Sequence, residues 1–274
     1  MSTQYPGART EMTTFGDRVS AFLAVPESGN GPFPAVILGH ERYGLVQHTL
    51  DLTAKFARYG MVGIAPDLFS RWDGDKAALN RGDISIPISD ADIRDYMGAS
   101  LDFLLADPRV MSDRIAAMGV CQSGAYPLVL NSVRPEIYAN VVFYGGAQAR
   151  EWQINENRSE QYESILERLT APVLGVWGEA DNVVSLDDVR HLRNVLEEKR
   201  KSYEFLVYPD MPHGWLNDTM PGRYRPQQAE DAWSQILVFL EHVARGAYPK
   251  DRAIWRMQSN ISLEYDFAKN VRWE

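Results

Sequence analysis

The segment Met118-Gly119-Val120-Cys121-Gln122-Ser123-Gly124 carries the only cysteine of a 274-residue chain. A nucleophile on a tight turn from strand to helix needs very small residues two positions to either side, because the backbone there is strained and crowded. Gly119 meets that need before Cys121, and Ser123 approximates it after. Ser123 is the poorer nucleophile, since the residue two positions before it is Cys121 rather than glycine. A helix starting at such a turn aims its N-terminus at the sulfur and favours thiolate, against an unperturbed thiol pKa of about 8.5. The competing reading is a packed core cysteine, which is how most unpaired thiols behave. An elbow of this kind takes an acid and then a histidine from later in the chain. Asp181, in Gly178-Glu179-Ala180-Asp181, and His213, in Pro212-His213-Gly214-Trp215, stand in that order. The pair His40-Glu41 raises metal chemistry, but the zincin pattern needs a second histidine three residues after the glutamate, where Gly44 stands. His48, His191 and His242 fall on predicted helices or their starts and read as surface or packing residues.

Such residues must be held by regular elements. Short runs rich in Val, Ile, Phe and Tyr recur at Pro34 to Gly39, Met61 to Ala65, Ile115 to Val120, Val141 to Gly145, Val173 to Gly178 and Glu204 to Tyr208. Several are continuously apolar, as in strands buried on both faces. Between them lie helical patterns. Ser89 to Asp92 is a capping box before Ile93, Met97, Leu101, Leu104 and Leu105, with Pro108 as the stop. Ser185 to Asp188 is another, and a third helix runs from about Pro226 through Val243 with Gly246 at its end. This alternation predicts an α/β fold, a mostly parallel central sheet with helices on both faces. Asp181 and His213 then follow adjacent strands, at the carboxyl ends where open α/β sheets gather functional groups.

Two stretches break the rhythm. Ser70 to Ser89 mixes Gly, Pro and charges without a period and reads as a long excursion over the sheet edge. Gln148 to Ser159 reads as a polar insertion. Residues 1–246 are expected to form the α/β domain and 247–274 a C-terminal extension, in which Ile261 to Phe267 alternates with period two like an arm or edge strand. Packing of that arm on its own domain is one expectation, and embracing a second copy in a homodimer is the other.

Composition narrows the function classes. With 45% hydrophobic and 24% charged residues the chain is an ordinary globular one. One cysteine excludes an intrachain disulfide and a cysteine-based metal cluster. A net charge of −9 argues against nucleic acid or an anionic membrane as a general partner. There is no apolar run of signal-peptide or membrane-span length, so a reducing, cytoplasmic setting is expected.

Gly39-His40-Glu41-Arg42-Tyr43-Gly44-Leu45, Ala65-Pro66-Asp67-Leu68-Phe69, Gly119 to Gly124, and Gly178 to Asp181 with His213-Gly214-Trp215 together resemble the dienelactone hydrolase (carboxymethylenebutenolidase) family, a cysteine branch of the α/β-hydrolase fold. The resemblance spans Phe33 to Arg245. It implies a cofactor-independent hydrolase of small carboxylic esters or lactones with a Cys121-His213-Asp181 triad and an acyl-thioester intermediate. It further implies that Glu41 contacts the resting thiol and helps generate thiolate, and that the backbone N–H groups of Arg42 and Gln122 form the oxyanion hole. Trp215 and Asn217 are expected at the substrate. Where the family places a carboxylate-binding arginine four residues after the histidine, this chain has Asn217, which cannot form a charge-assisted bidentate pair. Arg71, Arg81, Arg94 and Arg223 are the candidates to replace it. The rival readings are an acyl-transfer enzyme or dehalogenase on the same elbow, the latter disfavoured by a thiol nucleophile, and a non-catalytic binding protein that keeps the fold.

Overall fold

Continuously apolar strands need cover on both faces, and the computed structural model, which describes residues 4–260, provides it. The described strands are β1 (Ala8–Phe15), β2 (Val19–Pro26), β3 (Phe33–Gly39), β4 (Val62–Pro66), β5 (Val110–Val120), β6 (Ile137–Phe143), β7 (Val173–Gly178), β8 (Tyr203–Tyr208) and β9 (Trp255–Ser259). They form one sheet in the order β1-β2-β4-β3-β5-β6-β7-β8-β9. Strand β2 runs antiparallel to β1 and β4, and every other neighbouring pair is parallel.

The helices are α1 (Gln47–Arg58), α2 (Lys76–Arg81), α3 (Asp90–Ala106), α4 (Tyr126–Asn131), α5 (Tyr162–Glu167), α6 (Leu186–Glu198) and α7 (Pro226–Ala244). Helices α1 and α7 share a face, where Phe56 meets the Trp233 ring at 4.7 Å and Lys55 lies over it at 4.5 Å. Helices α3 to α6 pack against one another in succession on the other. The expected caps form: Ser89 Oγ accepts from Asp92 N and Ser185 Oγ from Asp188 N, each at 3.1 Å. From β3 the chain steps to β4 on one side, then crosses to β5 on the other. The loops leaving β3 and β5 therefore diverge and open a crevice at their carboxyl ends.

Several expectations change. The antiparallel hairpin β1-β2 is an addition to the parallel pattern, and its first strand is mostly solvent-exposed, so burial leaves little mark on its sequence. The stretch from Ser70 to Ser89 starts at the sheet edge, where Ser20 N donates to Ser70 Oγ at 3.1 Å and Arg71 Nε to Asp17 O at 2.7 Å in the β1-β2 hairpin, and does not stay there. It forms α2 and is tied down beside the crevice, since Arg42 Nη2 donates to Gly82 O at 2.5 Å and Gln122 Nε2 to Ile86 O at 2.7 Å. The stretch from Gln148 to Ser159 is mostly exposed, as a polar insertion should be, but is anchored from within: Arg158 is buried and pairs with Asp90 at 3.2 Å and Glu151 at 3.0 Å. After Gly246 the chain re-enters the sheet as β9, parallel to β8. The alternation from Ile261 to Phe267 lies outside the described residues.

Candidate active site

Strand β5 ends at Val120, and the next residue, Cys121, has φ +58°, a left-handed backbone rarely adopted by a residue with a side chain. The turn closes so tightly that a Cβ on Gly119 would lie 1.9 Å from Ser123 O. Ser123 fits for a separate reason. Its Oγ accepts from Val120 N at 2.8 Å and donates to Val120 O at 3.0 Å, and its Cβ faces Gly39, where a second Cβ would come within 2.8 Å. The helix expected at the sulfur begins as a 3-10 turn, Cys121–Ala125, before α4.

Two loops bring the partners. His213, after β8, places Nε2 3.1 Å from Cys121 Sγ and Nδ1 2.8 Å from Asp181 Oδ2. Asp181, after β7, is buried and aimed by its backbone: Oδ1 accepts from Val183 N at 2.7 Å and Val184 N at 3.0 Å. Burial alone lowers the pKa of His213, but the negative charges of Cys121 and Asp181 and hydrogen bonds to both outweigh it and push it up to about 10. Both ring nitrogens are thus engaged, Nδ1 with the carboxylate and Nε2 with the sulfur.

Glu41, just past β3, is buried and turned elsewhere. Its Oε1 accepts from Tyr144 Oη at 3.0 Å and its Oε2 from Asn217 Nδ2 at 2.6 Å, while the thiol bonds to His213. Asn217 is thus a partner of Glu41. Burial, and after it the charge of Glu41, hold the Tyr144 hydroxyl well above its usual pKa, so it stays a donor. The neighbouring His40 is structural: Nδ1 bonds Glu41 O at 2.6 Å and Nε2 accepts from Leu68 N at 3.0 Å, which fixes a neutral ring, and burial pushes its pKa down.

The crevice over Cys121 holds a pocket of about 170 Å³. Glu41, Arg42, Gln122 and His213 line it, as do Arg81, Arg150 and Arg223. Arg81 pairs with Asp83 at 2.8 Å and Arg150 with Glu151 at 3.0 Å. The other arginine candidates are elsewhere. Arg71 binds Asp17 O at 2.7 Å, pairs with Asp95 and stacks on Tyr96, and Arg94 pairs with Glu160. Trp215 does not reach the pocket: it is fully buried, its ring 5.0 Å from both Phe143 and Tyr208. Arg150, Tyr144 and Tyr43 are pocket or site residues that sequence reasoning passed over. Tyr144 carried a usable signal, because it directly follows β6 at a strand's carboxyl end.

A model of the dienelactone hydrolase family matches residues 19–244. A protein of Escherichia coli O157:H7 described as "Putative carboxymethylenebutenolidase" is 29% identical over 244 residues, covering 83% of this chain and 84% of its own. A Bradyrhizobium protein described as "Probable 2-oxo-3-(5-oxofuran-2-ylidene)propanoate lactonase" is 27% identical over 234 residues, covering 84% and 92%. The crystal structure of a "Putative Dienelactone Hydrolase" from Klebsiella pneumoniae superimposes with a TM-score of 0.75 at 24% identity, over 85% of this chain and 98% of that one. The architecture is that of an α/β hydrolase. Among the described residues no helix is long and apolar enough to cross a membrane.

Proposed function

Because the chain belongs to the dienelactone hydrolase family of carboxylic ester and lactone hydrolases, we propose that it cleaves a small ester or lactone through Cys121, His213 and Asp181. The observation that carries this is the continuous chain of contacts from Cys121 Sγ through both ring nitrogens of His213 to Asp181, starting on the left-handed turn after β5. The sulfur, sharing its hydrogen bond with a protonated imidazole, attacks the carbonyl carbon, and negative charge moves to the carbonyl oxygen. Backbone N–H groups of Arg42 and Gln122, both at the pocket wall, receive that oxygen. One such donor is typically worth about 10²–10³ in turnover. The C–O bond then breaks, the leaving alkoxide takes the proton from His213 Nε2, and the acyl group stays on sulfur as a thioester.

Thioester formation also resets the base. The sulfur no longer carries the charge that contributes to raising His213, so its pKa falls toward the range where a neutral imidazole can take a proton from water. Hydroxide adds to the thioester carbonyl, the C–S bond breaks, and acid and resting enzyme are released. Asp181 keeps Nδ1 protonated throughout. Glu41, held by Tyr144 and Asn217, stands beside this path as the group the family places against the thiol. Arg81, Arg150 and Arg223 line the pocket, and a substrate carboxylate there would compete with Asp83 for Arg81 and with Glu151 for Arg150. A reducing, cytoplasmic setting belongs to the same proposal because the nucleophile must stay a free thiol. The C-terminal extension either packs on its own domain or pairs two copies, and the mass in solution distinguishes the two.

Phenyl acetate tests the reading. The expected results are hydrolysis, one acetyl group on Cys121 in enzyme quenched during turnover, and loss of activity on alkylation with iodoacetamide. Full activity in Cys121→Ala would sink the assignment.

A further inference from the structure

Beside the catalytic pocket lies a second cavity of about 150 Å³. The two share Gln122, the residue after the nucleophile, and Arg150, so a substrate whose carbonyl sits at Cys121 can extend from one into the other. A cavity of this size holds one six-membered ring. Its wall is charged but balanced: Asp90 and Glu151 face Arg150 and Arg158, joined by Arg158 to Asp90 at 3.2 Å, Arg158 to Glu151 at 3.0 Å and Arg150 to Glu151 at 3.0 Å. An ion entering such a set would break a pair, whereas a neutral group leaves all of them intact.

The wall also carries spare acceptors. Asp90 is 3% exposed, and its Oδ2 has no hydrogen-bond partner among the described residues. Gln122 Oε1 is likewise buried without one, with the carboxamide oriented by the bond from Nε2 to Ile86 O at 2.7 Å. Buried acceptors left unpaired are costly, and a hydroxyl donor placed in the cavity that both residues line would relieve that cost. Pro87 and Ile88 supply an apolar side against which a ring face can lie. We infer that this cavity is a specificity subsite for a neutral, hydroxyl-bearing ring of the substrate, with Asp90 and Gln122 as the acceptors. The inference rests on the hydrolase reading of Cys121 and adds the chemical class of the group that extends from the ester.

Two esters of matched shape test it: methyl 6-O-acetylglucopyranoside, and cyclohexylmethyl acetate, which lacks the hydroxyls. The expected result is a kcat/KM ratio of about tenfold or more in favour of the sugar ester, since a site built to hydrogen-bond a hydroxyl rejects the analogue without it. In Asp90→Asn, and in Asn157→Trp, which fills the cavity from its rim, the ratio should fall toward one. A ratio near one in the unaltered enzyme, or one untouched by both substitutions, overturns the inference. Phenyl acetate separates the two readings: turnover of it without preference between the matched esters removes the subsite and leaves the hydrolase. If no ester is cleaved, methyl glucopyranoside is titrated by ligand-observed NMR against unaltered protein and Asn157→Trp. Binding confined to the former keeps the subsite, and no binding to either, as for a cavity that takes only solvent, removes it.

Discussion

His213 ties protonation to folding. Its pKa of about 10 in the folded chain stands above the 6.5 of an unperturbed histidine, so between those values the folded state holds a proton that the unfolded state has lost. The resulting stabilisation is fully present below about pH 6.5 and disappears as pH rises through about 10. Urea midpoints should therefore fall from about pH 8.5, where an unfolded thiol also loses its proton, to pH 10, and fall less in Cys121→Ala, where the contribution of the sulfur to raising His213 is gone; equal slopes would contradict this coupling. A second consequence concerns Ser123. Gly39→Ala would bring a Cβ within 2.8 Å of the Ser123 Cβ, and such overpacking typically costs about 1–3 kcal/mol. Adding Ser123→Gly should restore part of that loss even though it removes the bonds to Val120. Additive effects in denaturant titrations of the four proteins would show that the two positions do not meet.

Elements that looked like surface excursions are fastened by buried charge. The stretch from Gln148 to Ser159 folds around Arg158, whose guanidinium also donates from Nη1 to Glu151 O at 3.1 Å and lies 4.6 Å over the Tyr162 ring. Removing Arg158 leaves Glu151 with Arg150 but Asp90 buried without its ion-pair partner, and breaking a buried pair costs about 3–5 kcal/mol. Arg158→Met should lower the urea midpoint accordingly, with faster proteolysis between Gln148 and Ser159; unchanged stability would place the pair Asp90 and Arg158 in water. No periodicity marked this stretch, because its buried residues are polar and its anchor Arg158 is held in part by Asp90 of α3, 68 residues away in sequence. By contrast the caps at Ser89 and Ser185 were legible, since a capping box is a contact within four residues and needs no distant partner.

For the whole molecule, the sheet runs from an antiparallel hairpin at one end to β9 at the other. Strand β9 covers β8 in a parallel pairing from Tyr203–Trp255 to Val207–Ser259. Ending the chain after Arg252 uncovers the β8 edge, and exposed edges template association. The truncated protein should scatter light and elute at higher mass at concentrations where the full chain does not; identical behaviour would mean that another segment guards the edge.

The chain's residues by themselves determined the alternating architecture, the turn at Cys121, and the order in which Asp181 and His213 follow it. Each of these is local: apolar periodicity, a small residue two positions from a nucleophile, or a group placed just past a strand. Tertiary structure alone decided which candidates share a pocket. Arg81 and Arg223 line it, and Arg150 joins them unforeseen, while Arg71 and Arg94 pair with Asp95 and Glu160 away from it and Trp215 is core. It also turned Asn217 from a substrate contact into the donor that holds Glu41. The physical reason is that a charged or amide side chain carries no mark of its partner in its own sequence neighbourhood. Glu41 and Asn217 are 176 residues apart, and only the convergence of the loops after β3 and β8 at one end of the sheet brings them within hydrogen-bond reach.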